Sequence, residues 1–202
     1  MSHVLEIVLA WDGAASEVGQ SLRWQPLTLV FLLASTWWVK WPLIAAIGAA
    51  SDARCRRRCP RATLAAVAAV GAAGLLVTLS KELFDRARPP AGAGIDPVGL
   101  VPASASFPSG HAATAFAAAV AVGLIHPRLR LPLLGLAAVV ALSRVYLGVH
   151  YATDVLAGTA LGVALGLGAA WLVRTVAAGP RAPLPSLAPG GTSFVRRHRS
   201  TG

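Results

Sequence analysis

Charged side chains are scarce in this chain of 202 residues, of which only 13% are Asp, Glu, Lys or Arg. A soluble domain carries about 25% charged residues, so the composition excludes an ordinary cytosolic protein. A disordered chain is excluded as well, because disorder requires low hydrophobicity and 55% of these residues are hydrophobic. A mean hydropathy of +0.64 indicates instead a polytopic membrane protein with one domain.

Acidic residues and lysines are also rare, with 8 acids and 2 lysines against 16 arginines, and the formal net charge is +10. Many of the arginines cluster beside long apolar runs, at 54–61, 128–130 and 196–199. Clusters in such positions are typical of cytoplasmic loops. Nucleic-acid binding would require base-stacking aromatic residues among the basic ones. Since no cluster contains them, we expect no nucleic-acid partner.

Cysteine is nearly absent, and the two cysteines, Cys55 and Cys59, both lie in the first arginine cluster. Structural zinc requires four ligands, and no histidine or acidic residue lies close enough in the sequence to complete the set. A loop on the reducing side of the membrane would keep both residues as thiols. We therefore expect neither a zinc site nor a disulfide here.

Apolar runs of membrane-spanning length, about 20 residues, occur at 62–80, 109–126, 131–149 and 154–174. A further stretch over 27–50 is interrupted by three tryptophans and Lys40, which prefer the membrane interface. We therefore expect an interfacial segment at 1–35 and a first span from about Trp37 to Asp52. A straight span over 27–50 with Lys40 buried in lipid is the alternative. The expected fold is an all-α polytopic membrane helix bundle with about five transmembrane helices.

The positions of the basic clusters assign the two sides of the membrane. The arginine-rich loop at 53–61 is expected in the cytoplasm, so that 81–108 and 144–154 face the extracytoplasmic side. Residues 1–176 then form one domain in the cell membrane, and 177–202 form a disordered, basic cytoplasmic tail. The oligomeric state stays open.

Small residues are frequent in the predicted spans. Gly158, Gly162 and Gly166 recur every four residues and therefore share one helix face. Such a stripe favours close helix packing within the bundle, with a dimer interface as the alternative.

Three segments contain most polar residues of the outer half: Lys81 to Arg88, Ser109 to His111, and Ser143 to Asp154. Lys81 and Arg88 are seven residues apart, which on a helix places them on one face, two turns apart. Ser109 is predicted to cap the helix that follows, and Gly110 allows a ligand to approach the backbone. The start of that helix is a favourable site for an anion.

The third segment places His150 and Asp154 four residues apart, so that the carboxylate can hold the imidazole in one tautomer. Three cations, a helix N-terminus and two histidines on one membrane face suit a phosphate dianion, a nucleophile and a proton donor. Each cation alone could be a snorkelling residue at a helix end. Arg86 is expected to be a solvated interfacial charge, at most an extra headgroup contact.

These motifs resemble the three-part signature of the type 2 phosphatidic acid phosphatases, a superfamily that also includes vanadium haloperoxidases. The matching residues are Lys81-x6-Arg88-Pro89, Pro108-Ser109-Gly110-His111 and Ser143-Arg144-x5-His150-x3-Asp154. The resemblance covers about residues 27–175 and is closest to bacterial undecaprenyl pyrophosphate phosphatases. It implies a membrane lipid phosphatase.

The resemblance also implies the roles of single residues. His150 would attack phosphorus to form a phosphohistidine, oriented by Asp154, and His111 would protonate the leaving oxygen and then activate water. The phosphoryl oxygens would be held by five further residues, without a metal or other cofactor: Lys81, Arg88, Ser109, Gly110 and Arg144.

The expected substrate is a lipid phosphate or pyrophosphate reached from the membrane lipids, with a polyprenyl pyrophosphate of cell wall biogenesis preferred. Phosphatidic acid and phosphatidylglycerol phosphate are the next candidates. Transfer of the phosphoryl group to a lipid or sugar acceptor would use the same site, and a soluble phosphate ester is a further possibility. A non-enzymatic membrane scaffold would need none of these residues.

Overall fold

The computed structural model describes residues 2–36, 46–50, 52–53, 60–89 and 96–178. All regular secondary structure in these ranges is helical. The main helices are α1 (Ser2–Ser21), α2 (Gln25–Ala34), α3 (Arg61–Phe84), α4 (Gly110–Ile125), α5 (Arg130–Tyr146) and α6 (Ala152–Ala178). No strand occurs among the described residues, so the predicted all-α class is confirmed. Most of the predicted first span, most of the first arginine cluster with both cysteines, and nearly all of the basic tail lie outside the described residues.

Three stretches are long and apolar enough to cross a membrane by length and composition: Arg61–Phe84, Pro127–Tyr146 and Ala152–Val176. Two shorter apolar helices, α2 and α4, accompany them. Large apolar side chains point away from the bundle, among them Leu64, Val67, Leu75, Trp171 and Leu172. An exposed apolar surface of this kind suits lipid rather than water. The structure thereby confirms the class of membrane helix bundle.

The interior of the bundle is built from small residues, with α4 packed against α3, α5 and α6. One buried cluster contains a stripe of alanines from each of two helices: Ala65, Ala69 and Ala73 of α3, and Ala113, Ala117 and Ala121 of α4. The four-residue spacing places each stripe on one helix face. Between helices in lipid, small residues stabilise the contact by letting the backbones approach closely.

The glycine stripe of α6 fits against the backbone of α4. A Cβ atom at Gly158 would collide with the carbonyl oxygen of Ser109, and one at Gly162 would collide with that of Ala113. Gly166 is equally close to Ala117. These glycines therefore serve packing within the chain, and they fix the start of α6 beside the start of α4.

Tyr146, at the end of α5, holds α2 against the bundle. Its hydroxyl oxygen accepts a hydrogen bond from the backbone N–H of Trp24 at 2.9 Å and lies 2.9 Å from the hydroxyl of Thr28. The ring of Phe31 packs edge-on against it at 4.7 Å. The α2 helix is thus held next to the last turn of α5. The interfacial placement of residues 1–35 stays a prediction.

The segment after α3 departs from the expected helix. Asp85 adopts a φ of 38° and its N–H donates to the carbonyl oxygen of Lys81 at 3.1 Å, which ends the helix at Phe84. Pro89 further disfavours a helical conformation at Arg88. The expectation that Lys81 and Arg88 share one helix face is therefore wrong, because Arg88 lies on irregular backbone.

Candidate active site

The predicted site residues lie at one end of the bundle, at helix ends and in the segments that join them. A cavity of about 670 Å³ is lined by five of them, Lys81, Arg88, Gly110, His111 and His150. A second cavity of about 390 Å³ is lined by Arg144 and again by His111. Ser109 and Asp154 are fully buried. The structure thus brings six of the eight predicted residues to two adjoining cavities.

His150 lies just before α6 and is buried. Its Nε2 is 3.2 Å from Nη1 of Arg88, and because a guanidinium only donates hydrogen bonds, Nε2 carries the lone pair. The ring proton is then on Nδ1, which lies 3.5 Å from Oδ2 of Asp154. Burial lowers the pKa of His150 to about 4, helped by the charges of Arg88 and Arg144 and opposed by Asp154. The imidazole is therefore neutral at pH 7.

Asp154, in the first turn of α6, is held by several hydrogen bonds. Its Oδ2 accepts from the hydroxyl of Ser106 at 2.5 Å and from the N–H of Tyr151 at 3.0 Å. Its Oδ1 accepts from Nη1 of Arg86 at 2.6 Å. These bonds fix the plane of the carboxylate, with Oδ2 on the side of His150.

Lys81 and Arg88 meet at Ser104 on the wall of the larger cavity. Lys81 Nζ donates to the hydroxyl of Ser104 at 2.9 Å, and Arg88 Nε donates to its carbonyl oxygen at 2.9 Å. Arg88 Nη1 also donates to the carbonyl oxygen of Val149 at 2.7 Å. Burial lowers the pKa of Arg88, although an arginine stays charged at neutral pH. The two cations therefore converge without sharing a helix.

His111 and Arg144 lie on either side of the smaller cavity. Nε2 of His111 is 3.0 Å from the carbonyl oxygen of Ser35, which only accepts, so this nitrogen carries a proton. Arg144 is 5% exposed, and its Nε has no hydrogen-bond partner among the described residues. An unsatisfied buried donor costs about 1–3 kcal/mol. A bound anion would supply the missing acceptor.

Ser109 occupies the N-cap position of α4, but its hydroxyl makes no capping hydrogen bond. The predicted cap is wrong in this respect. The N–H of Ser109 donates to the carbonyl oxygen of Asp154 at 3.0 Å, which ties α4 to α6. Its hydroxyl is buried without a hydrogen-bond partner in the part of the chain that the structure describes. The first turn of α4 thus lacks a side-chain cap next to the cavity.

Arg86 is not the solvated charge that the sequence suggests. Besides Asp154, its guanidinium contacts Asp12 of α1, with Nη2 2.7 Å from Oδ2. The irregular backbone after α3 turns the side chain inward, toward α1 and α6. Asp12 is a lone acid among apolar residues, and such a residue requires a cation partner. That signal was available in the sequence, but the partner lies 74 positions away.

The donor set of the site suits an anion. It consists of Lys81, two arginines, two histidines and hydroxyl groups, all of which can donate hydrogen bonds to phosphate oxygens. Among the described residues, no three His, Cys, Asp or Glu side chains form a group that could hold a metal ion. The fold and the site together define the class of a membrane-embedded enzyme whose polar centre is suited to an anion.

The profile of the PAP2 superfamily matches residues 62–177, a range that includes all eight predicted site residues. The chain belongs to the PAP2 superfamily. The match begins at α3, so that α1 and α2 lie outside it.

Two relatives of known function are phosphatases of lipids. Decaprenylphosphoryl-5-phosphoribose phosphatase of Mycobacterium tuberculosis is 40% identical over 131 residues, which are 63% of this chain and 68% of the relative. Lipid A 1-phosphatase of Rhizobium johnstonii is 34% identical over 131 residues, 61% of this chain. The matched region spans 51% of that second relative.

Two solved structures share the architecture. The transmembrane PAP2-type phosphatidylglycerolphosphate phosphatase from Bacillus subtilis has a TM-score of 0.69 at 28% identity, covering 85% of this chain and 87% of that one. For Aquifex aeolicus LpxE the TM-score is 0.58 at 25% identity, with 76% and 91% covered. The chain is a membrane lipid phosphatase of this superfamily.

Proposed function

We propose that the chain hydrolyses the phosphate or pyrophosphate group of a polyprenyl lipid through a phosphohistidine formed on His150. The observation that carries the proposal is the position of Nε2 of His150, 3.2 Å from Arg88 in a cavity that Lys81 also lines. A neutral imidazole beside two cations can attack a phosphoryl group whose oxygens the cations hold.

In the first step, Nε2 of His150 attacks phosphorus. The N–P bond forms while the P–O bond to the leaving group breaks, and the electron pair moves to the leaving oxygen. His111, as imidazolium, donates a proton to that oxygen. Asp154 stabilises the positive charge that develops on His150, since its carboxylate lies beside Nδ1.

In the second step, the now neutral His111 accepts a proton from water, whose oxygen attacks phosphorus. The N–P bond breaks, phosphate leaves, and His150 regains its lone pair. Lys81, Arg88 and Arg144 stabilise the phosphoryl oxygens, with the hydroxyl of Ser109 and the amide of Gly110 as further donors. The cations take the role that magnesium plays in other phosphoryl transfers, so the reaction requires no metal.

The two cavities favour a pyrophosphate over a monoester. A pyrophosphate carries two anionic groups, and the cations are divided between a cavity with Lys81 and Arg88 and one with Arg144. His111 lines both cavities, where it can reach the oxygen that links the two groups. The polyprenyl tail is supported by the mycobacterial relative, whose name specifies a decaprenylphosphoryl group.

The distribution of charge favours an extracytoplasmic site in the cell membrane. Arg61 and Arg130 begin α3 and α5, and Arg174 lies near the end of α6. All three lie at the opposite end of the bundle from Lys81 and His150. Because basic residues accumulate on the cytoplasmic side, the site faces outward.

Phosphate release by the purified chain tests this function. The panel contains undecaprenyl pyrophosphate, decaprenylphosphoryl-5-phosphoribose, phosphatidic acid, phosphatidylglycerol phosphate and a short-chain phosphate ester, each with and without a chelator. We expect the fastest release from undecaprenyl pyrophosphate, no effect of the chelator and no release by His150→Ala. Phosphate recovered on an acceptor rather than in water would instead identify a transferase. Unchanged release by His150→Ala would refute the mechanism.

A further inference from the structure

A chain of ion pairs connects the N-terminal helix to the site. Asp12 of α1 is 1% exposed, and its Oδ2 accepts from Nη2 of Arg86 at 2.7 Å. The other end of the same guanidinium donates to Oδ1 of Asp154 at 2.6 Å. One arginine thus bridges two buried carboxylates, one from α1 and one from α6.

Further contacts hold the bridge in a single position. Asp12 Oδ1 accepts from the N–H of Thr153 at 2.9 Å, and its Oδ2 accepts from the Thr153 hydroxyl at 2.6 Å. Nη1 of Arg86 also donates to that hydroxyl at 2.8 Å. The guanidinium lies 4.2 Å from the centre of the Tyr151 ring. Every oxygen of both carboxylates has a partner in this network.

A network of buried ion pairs contributes little net free energy to the stability of a fold. Removing charges from water costs free energy that their attraction barely offsets, and apolar residues of similar size are often as stable. Burial lowers the pKa of Arg86, but hydrogen bonds and charge from Asp12 and Asp154 outweigh it and raise the pKa. The arginine therefore stays charged against Asp154, next to His150.

We propose that Arg86, held in place by Asp12, is a positioning residue that orients the Asp154 carboxylate toward His150. This inference rests on the proposed function. A carboxylate is planar, so fixing Oδ1 by Arg86 fixes the direction in which Oδ2 meets Nδ1 of His150. The arginine also neutralises part of the carboxylate's charge, which limits how strongly Asp154 attracts a proton to the imidazole.

The alternative is that Arg86 and Asp12 merely attach α1 to the bundle. A structural tie would lower activity by the same factor whether or not Asp154 is ionised. A positioning role would disappear once the carboxylate is gone. The two roles are therefore separated by combining substitutions at positions 86 and 154.

The experiment compares kcat/KM of the full chain in detergent for Arg86→Gln, Arg86→Lys, Asp154→Asn and both double variants. We expect Arg86→Gln to lose about tenfold to a hundredfold, by analogy with the loss when the hydrogen-bond partner of a metal-ligating side chain is removed. In the Asp154→Asn background the same change should cost less than about threefold. Arg86→Lys should recover part of the loss, because it keeps the charge. Arg128→Gln, an exposed arginine at the other end of the bundle, is the matched control.

A second readout is the titration of His150, followed by NMR of labelled histidine. The charged groups around its imidazole are Arg88, Arg144 and Asp154, and Arg86 acts through the last of these. Loss of the arginine leaves Asp154 more attractive to a proton, which stabilises the imidazolium. Arg86→Gln should therefore move the titration of His150 to higher pH, whereas Arg128→Gln should leave it in place.

Equal losses from Arg86→Gln in both backgrounds, or an unmoved titration of His150, would overturn the positioning role. If Arg86→Gln does not fold, the same comparison with Arg86→Lys decides the question. The proposed function is tested separately by His150→Ala. Activity in that variant refutes the proposed mechanism, whereas its inactivity together with equal Arg86 losses refutes only the role of Arg86.

Discussion

At the scale of single residues, burial decides the protonation of His150 more than any one neighbouring charge. A carboxylate beside an imidazole ordinarily favours the charged form. In this site, burial and two arginines outweigh Asp154 and lower the pKa of His150 to about 4. The result is a histidine that keeps its lone pair over the whole physiological range.

The first prediction concerns this titration. His150 should stay neutral as the pH falls from 7 to about 5 and should gain a proton around pH 4, since its pKa is lowered to about 4. Nucleophilic capacity is then lost only below that pH. Labelled-histidine NMR measures the value directly, with the resonance assigned by its absence in His150→Gln. A midpoint near 6.5, the ordinary value, would contradict the prediction.

The second prediction concerns Asp154→Asn, which should fold but turn over slowly. An amide N–H facing Nδ1 of His150 favours the tautomer with the proton on Nε2, where the nucleophilic lone pair is required. In a serine protease the comparable change lowers kcat about 10⁴-fold, and we expect a loss of about a hundredfold or more here. Phosphate release measures the loss, and thermal unfolding checks the fold. Asp96→Asn, at an exposed position, is the control; wild-type turnover in Asp154→Asn would show that the carboxylate does not orient His150.

At the scale of helices, the contact between α4 and α6 depends on the absence of side chains. Gly162 faces the carbonyl oxygen of Ala113 with no room for a Cβ atom, whereas Gly168 of the same helix has nothing within 4 Å of such an atom. The two glycines therefore differ in environment but not in secondary structure.

Gly162→Ala should destabilise the bundle, while Gly168→Ala should not. Overpacking costs about 1–3 kcal/mol, and an unhindered Gly→Ala change in a helix gains up to about 1 kcal/mol. Thermal unfolding in one detergent compares the two variants with the unsubstituted chain. Equal unfolding temperatures for both variants would mean that the α4–α6 contact accommodates an added methyl group without loss of stability.

The helices themselves could be predicted from the sequence, because each apolar run is long and contains at most two charged residues. The four predicted runs correspond to α3, α4, α5 and α6, although α3 continues to Phe84. The left-handed turn at Asp85 could not be predicted from the sequence, since aspartate is compatible with a continued helix and the turn depends on its surroundings. Arg86 was misjudged for the same reason, because its direction follows from that turn.

The residues of the candidate site could be predicted where they belong to recognisable sequence motifs. Lys81, His111 and His150 were expected together, and the cavity contains all three. Asp12 and Ser106 belong to no motif, and their contacts with Arg86 and Asp154 are formed only by folding. Local spacing therefore identified residues that line the cavity, while the groups that hold those residues required coordinates.

At the scale of the whole molecule, a group of arginines lies at the end of the bundle opposite to the site. The arginines of one end, such as Arg61 and Arg130, lie opposite the end that contains Lys81 and His150. Because basic residues outside a binding site accumulate on the cytoplasmic side, this arrangement supports the proposed orientation. In the proposed orientation, with the site outside the cytoplasm, the cavity would face the lipid headgroups of the outer leaflet.

This orientation predicts which residues react with a membrane-impermeant maleimide on intact cells. A cysteine introduced as Asp96→Cys, exposed at the end of the bundle that contains the site, should be labelled. The native Cys55 and Cys59, in the arginine cluster, should react only after the cells are permeabilised. The unsubstituted chain provides the background, and the reverse pattern would place the site in the cytoplasm.

The fit of the α6 glycines against α4 also restricts how the enzyme can open. Gly158 leaves no room for a Cβ atom beside the carbonyl oxygen of Ser109, the residue two before His111, so the starts of the two helices cannot move apart without losing that contact. We therefore expect the starts of α4 and α6 to keep their spacing when substrate binds. We expect access for a lipid tail on the side of α2 instead, where Leu32 and the adjoining Ser35 border the smaller cavity.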